Sequence, residues 1–346
     1  MDGSLGLIAA RLPALEVDWG TLVSVNLPTL LFVVVGVPLA LVGYIVGTDV
    51  LVRRLPKRSQ PSVRPWVWVG PAIIFVGVIL VYPMVGTIVR SFFDRHGDKF
   101  IGLDNFRRVL TDGGVLIALR NNVYWLVLYT GLVLIFGLLL AVLADRVRYE
   151  KSVKTLIFMP MAISFVAMAV IWQFVYYYRP PDVPQTGTLN AILVNIFHGQ
   201  PITWIQDPRF NNFALILIGV WGATGFAMVI LSAALKGIPA ELLEAARVDG
   251  ANEMTIFRRV ILPLMMPTIV VVGTTMVIFA LKAFDVVYVM TAGNYNTDIL
   301  ARRMYAELYS AGNYANASAL AVVLLLAVVP VLIFNLRQFR AVEERR

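Results

Sequence analysis

The sequence predicts an all-α membrane protein, a polytopic helical bundle with seven transmembrane helices, its amino terminus outside and its carboxyl terminus inside. Three observations predict it. Hydrophobic residues make up 59% of the 346 and charged residues only 14%, beyond the roughly 45–50% apolar share of a soluble domain. The apolar residues gather into seven runs, each long enough to cross a bilayer as a helix. Lysines and arginines concentrate in alternate connectors, the asymmetry that orients a membrane protein.

The runs follow in order. Residues 1–26 carry one basic residue, Arg11, against Asp2, Glu16 and Asp18. The first run, about 27–52, holds Pro38 and ends at Arg53, Arg54, Lys57 and Arg58. A cleaved signal has its positive charge before its apolar core, so this order predicts an uncleaved span running inward. Gly43 and Gly47 within it make a small-residue packing motif. The second span, about 66–89, has Trp66 and Trp68 at one interface and Tyr82-Pro83 near the other. The third covers about 122–144, and the fourth about 155–177, carrying Pro160. A Pro-rich loop, 178–210, is too short for a separate domain. The fifth span is about 211–235, the sixth about 264–290 and the seventh about 317–336. The organisation is therefore residues 1–65, a tail with an extra transmembrane helix and a basic linker, and residues 66–346, a six-span core with a polar connector at about 236–263.

Charge supports this layout. The connectors assigned to the inside, Arg53 to Arg64, Arg146 to Lys154, Lys236 to Arg259 and Arg337 to Arg346, hold 17 of the 29 lysines and arginines, although they are about half as long as the outside segments. The net charge of +8 is thus topological and not a nucleic-acid footprint. With no cysteine there is no disulfide framework or thiolate chemistry. There is no GxxxxGK[ST] loop to cradle ATP phosphates, no GxSxG elbow and no HExxH. His96 and His198 fall in separate outside loops and make no metal site, and no pair of carboxylates on one apolar helix marks a proton relay.

The conspicuous polar stretch is the connector between spans five and six, EAARVDGANEMTIFRRVILPLMMP from Glu244 to Pro267. Pro239 suits a first helical turn, with Glu241 and Glu244 near the positive end of a short helix reaching about Val248. Asp249-Gly250 breaks that helix, because glycine accepts the left-handed conformation. A second short helix runs from about 251 to 261 with Asn252 as its cap, before Pro263 and Pro267 open the next span. Alanines at 245, 246 and 251 leave a knob of low bulk, Glu244 gives it a charge and Phe257 an apolar anchor. A connector lying on lipid headgroups is the alternative.

The stretch resembles the EAA signature of ATP-binding-cassette (ABC) importer permeases: EAA, two residues, DGA, five residues, Phe, then LP and a later Pro. Glu244, Ala245, Ala246, Asp249, Gly250, Ala251, Phe257, Leu262, Pro263 and Pro267 match it in register. Spans two to seven, with GLDNF from Gly102 and AFDVVYVMTAGN from Ala283, resemble the six-span core of the carbohydrate-importing class, and the first span resembles the extra amino-terminal helix of some members. YNTD at 295–298, RRMYAELYSAG from Arg302 and VPVLIFNLRQFR from Val329 look most like the alpha-glucoside subgroup. The resemblance implies a permease, not an enzyme, in a bacterial or archaeal cytoplasmic (inner) membrane. It further implies a second permease subunit, two ATPase subunits that carry the ATP and magnesium and bind the two EAA connectors, and an extracytoplasmic binding protein that delivers the sugar. No cofactor is expected in this chain.

In that family the solute cavity lies between the spans on either side of the connector. Those spans offer Gly219, Trp221, Gly222, Ala223 and Phe226 before it and Met276, Phe279, Ala280 and Ala283 after it. The last four recur at helical spacing, hence on one face. Ordinary packing of small residues is the alternative for each, and the scarcity of amide side chains argues against a tight site within this subunit. Lys282 and Asp285, at i and i+3, are expected to form a local pair, with a functional charge as the alternative. An ion-coupled secondary transporter or channel acting alone is the competing class, and an ABC permease for another small polar solute, such as a polyol or glycerol phosphate, the competing substrate.

Overall fold

The computed structural model describes the backbone at residue 29 and from 31 to 343, and side chains up to residue 330 and at residue 333. The tail 1–26 and the side chains of Arg337, Arg340, Arg345 and Arg346, which entered the topology argument, lie outside the described residues. The chain divides into two compact units, Met1–Pro83 and Met84–Arg346.

In the first unit, α1 (Phe32–Arg53) turns through residues 54–59 into α2 (Gln60–Arg90), within which the division falls. Asp49 pairs with Arg53 at 2.7 Å, and Tyr44 meets Trp68 edge-on at 6.5 Å. The Gly43–Gly47 motif is not used for packing among the described residues. A Cβ built on either glycine meets nothing within 4 Å, so none of the described helices exploits the missing side chains.

The second unit is wound around one helix, α8 (Asn211–Lys236), introduced after α3 (Asp104–Thr111), α4 (Gly113–Ala144), α5 (Glu150–Ala162), α6 (Phe165–Val175) and α7 (Thr188–Asn195). In the most apolar window of α8, 72% of residues are buried, against 22% in α4. Small residues put it there, since helices in lipid gain their association from close packing. A Cβ on Gly225 would stand 2.4 Å from the Ile157 carbonyl oxygen, and one on Gly137 of α4 would stand 2.6 Å from the Ala227 Cβ. After α8 come α9 (Ala240–Val248), α10 (Glu253–Ile256), α11 (Leu262–Leu281), α12 (Phe284–Thr291), α13 (Leu300–Tyr305) and α14 (Tyr314–Glu343). A second, smaller core joins Val109, Val115, Ala118, Leu300, Ala319 and Leu320 from α3, α4, α13 and α14.

Five helical stretches among the described residues are long and apolar enough to span a bilayer: α1, α2, α4, α8 and Glu253–Thr291. The expected fourth span is not one continuous helix. α5 and α6 meet at a bend of 102°. Pro160 begins a tight 3₁₀ turn, Ile163 is extended, and Ser164 starts a new helix by accepting from the Ala167 N–H at 3.2 Å. The seventh expected run, 317–336, falls in α14, whose described apolar stretch is Tyr314–Pro330. The 178–210 loop is organised by Asn190. That buried amide donates to the Tyr177 and Ile202 carbonyls at 3.2 and 3.0 Å and accepts from the Ile202 N–H and Trp204 Nε1 at 2.9 and 3.1 Å.

Candidate functional site: a projecting connector and an aromatic cavity

The connector begins where three helix ends are tied together. Lys236, the last residue of α8, reaches Asp145 at 3.3 Å and Glu150 at 2.6 Å, just beyond α4 and at the start of α5. Lys154 joins the same group through Glu150 and Ser232. From this anchor α9 projects with no buried residue. Pro239 stands one position before the helix rather than in its first turn, with Glu241 at the positive end. Asp249 ends it, and Gly250 adopts φ +81°, so the Gly250 and Ala251 N–H groups return to the Arg247 and Ala246 carbonyls, each at 3.0 Å. Asn252 then caps α10, its Oδ1 accepting from the Thr255 N–H at 2.8 Å.

Arg247 reaches across this turn to Glu253 at 3.2 Å, an exposed ion pair between the two helices. The second helix starts at Glu253, two residues later than expected, and does not stop. A wide π-helical turn, Phe257–Ile261, carries it into α11, with Pro263 in the first turn and Pro267 inside. Glu244, Ala245, Asp249 and Gly250 are exposed, Ala246, Ala251, Phe257 and Leu262 are half-buried and Pro263 is exposed. The buried anchor is Ile256, next to the expected Phe257. Val248, 87% exposed, is the most uncovered large apolar residue among those described.

At the opposite end of α8 lies a cavity of about 190 Å³. The rings of Trp125, Tyr129, Phe165, Phe279 and Phe284 line it, with Lys282 and Asp285 as its charges. Gly219 makes room at its wall, where a Cβ would come within 3.0 Å of Tyr129 and 3.1 Å of Trp125. The cavity exists because the sixth expected span is interrupted. α11 ends at Leu281, Ala283 takes φ −70° and ψ 59°, and the Phe284 N–H closes a tight turn onto the Lys282 carbonyl at 2.7 Å. Helical spacing therefore fails past residue 281, and the expected Lys282–Asp285 pair does not form: no ion pair within 4.0 Å joins them, although both line the cavity.

The expected solute-path residues separate. Gly219, Phe279, Lys282 and Ala283 line this cavity. Met276 and Ala280, expected on the same face, are fully buried in the core, and Gly222 and Ala223 are buried as well. Phe226 packs against that core half-buried. Trp221 turns to a different, apolar cavity of about 430 Å³, edge-on to Trp172 at 5.8 Å. Sequence reasoning missed Trp125, Tyr129, Phe165 and Phe284. The i, i+4 spacing of Trp125 and Tyr129 at the start of a span was the available signal. Trp125 is 1% exposed, and its Nε1–H has no hydrogen-bond partner.

Residues 133–345 match the family model described as binding-protein-dependent transport system inner membrane component. The osmoprotective compounds uptake permease GgtC of a Synechocystis strain is 50% identical over 81% of this chain and 100% of its own length. The alpha-glucoside transport system permease AglF of Rhizobium meliloti is 46% identical over 81% of this chain and 83% of its own. A solved bacterial ABC transporter that imports the acidic polysaccharide alginate is 25% identical, covers 82% of this chain and 98% of its own, and superposes with a TM-score of 0.68. The chain belongs to the family of binding-protein-dependent transport system inner membrane components, the permeases of ABC importers.

Proposed function

We propose that this chain is one of two permease subunits in an importer for an alpha-glucoside or a related di- or oligosaccharide, handed over by an extracytoplasmic binding protein. Two ATPase subunits supply the energy, and ATP and magnesium act on them and not on this chain. The exposed surface of α9 and its turn, Glu244, Ala245, Ala246, Asp249, Gly250 and Ala251, takes the ATPase contact, while Phe257, Leu262 and Pro263 join it to α11. The observation that carries the reading is the projecting helix, left-handed glycine, capped helix at 240–256, built by the residues of the EAA signature, with Ile256 as its one buried residue among those described. Motion of an ATPase against α9 passes through the Arg247–Glu253 link and the unbroken turn at 257–261 into α11, whose far end borders the cavity.

The alpha-glucoside name of the 46% identical relative supports the substrate class. A second reading, a small osmolyte-like polar solute, is favoured by the osmoprotectant name of the 50% identical one. Co-purification of the associated chains, followed by ATPase measurement with the binding protein and a panel of disaccharides and polar osmolytes, tests both. Saccharide-dependent stimulation is expected. Solute movement by the isolated chain down an ion gradient, with no ATPase bound, overturns the reading in favour of a secondary transporter.

A further inference from the structure

We propose that Phe284, Tyr288, Tyr305 and Tyr309 form an aromatic rail that passes a saccharide, ring by ring, into the cavity at Trp125. The inference rests on the reading of the chain as a saccharide permease and assigns that solute its route in. Phe284 and Tyr288, one turn apart on α12, lie nearly parallel at 5.1 Å and 19°. Tyr305, the last residue of α13, sits against both, at 5.2 and 5.3 Å, and Tyr309 continues the line at 4.6 Å from Tyr305. Two of its rings are exposed and two, Tyr305 and Phe284, are half-buried. Tyr309 is 70% and Tyr288 43% exposed, whereas Phe284 is half-buried in the cavity wall.

A pyranose has apolar C–H faces and a belt of hydroxyls, and phenol rings offer both a stacking face and a polar edge. Each ring-to-ring step is close to the length of one pyranose unit. A surface made only for packing needs no lead into a cavity that holds an ammonium and a carboxylate. At the inner end the Trp125 ring lines the cavity, packed against Tyr129 at 5.9 Å.

The test uses the full complex, this chain with its partner permease, ATPases and binding protein, reconstituted in liposomes and given maltose, trehalose, sucrose and maltotriose. Tyr305→Ala and Tyr309→Ala are expected to lower uptake about threefold to tenfold, with assembly and basal ATPase activity unchanged. Tyr305→Phe and Tyr309→Phe, which keep the rings, are expected to retain most of it. Full uptake by the alanine variants, while the parent complex transports, overturns the rail and leaves the permease reading standing. Alanine variants that no longer co-purify with the partner permease overturn it too, by making the strip a subunit interface. If the assembled, ATPase-active parent complex moves none of the four saccharides, the substrate reading fails and the rail fails with it.

Discussion

Asn121 holds Asp298 from 177 residues away: its Nδ2 donates to the Asp298 carbonyl at 2.8 Å and to the Asn296 carbonyl at 2.7 Å. Its neighbours act alike. Asn122 accepts from the Leu300 N–H at 2.8 Å, and Asn211 of α8 donates to the Tyr295 carbonyl at 2.7 Å. The loop they grip contains Ala292, Gly293, Tyr295 and Asn296, all at positive φ, and non-glycine residues hold that conformation only when their surroundings fix it. Asn121→Leu, similar in volume but unable to donate, leaves two carbonyls unsatisfied. It is expected to lower stability by about 1–3 kcal/mol, read as a fall in Tm in detergent. An unchanged Tm would mean the loop holds itself.

Gly225 tests the packing around α8. A methyl group there would lie 2.4 Å from the Ile157 carbonyl oxygen and 2.6 Å from the Phe158 Cα, both backbone atoms that cannot move aside cheaply. Gly225→Ala is expected to cost about 1–3 kcal/mol. Gly131→Ala, where a Cβ meets nothing within 4 Å, is expected to be neutral or slightly stabilising. Equal melting temperatures for the two variants would contradict this close approach.

Gly250 tests the connector. At φ +81° any β-branched residue is strained, whereas asparagine tolerates the left-handed region. Gly250→Val is expected to leave membrane insertion intact and to lower binding-protein-stimulated ATPase activity at least about tenfold, given that a strained turn costs roughly 1–3 kcal/mol. Gly250→Asn is expected to restore most of it. If valine and asparagine behave alike, the backbone conformation is not what the connector needs.

The connector was legible in the sequence because its chemistry is local: Gly250 supplies the left-handed turn and Asn252 the cap within a few residues. Apolar length likewise located the long helices. The bend at Ile163–Ser164 was signalled only by Pro160, which is common in membrane spans, so its 102° could not be read. Helical periodicity groups Met276, Phe279, Ala280 and Ala283, but only Ala283 lies at the turn that ends α11; within the unbroken helix Met276 and Ala280 are buried in the core while Phe279 lines the cavity. Asn121, Asn122 and Asn211 look like ordinary polar residues at span ends. Their partners lie between about 80 and 180 residues away, and no local pattern carries that information.

The separation of Lys282 from Asp285 makes the last prediction. Two charges that share a cavity without touching each other are free to act on a third party, so their contributions to transport should be independent. Lys282→Met and Asp285→Asn are each expected to reduce saccharide uptake, and the double variant to reduce it by about the product of the two factors. Residues in contact couple by roughly 0.5–3 kcal/mol in such a cycle, and independent ones by less. A double variant no worse than either single one would show that the two charges serve each other after all. In that case the i, i+3 pair is restored in the working complex, and the cavity presents no free charge to a solute.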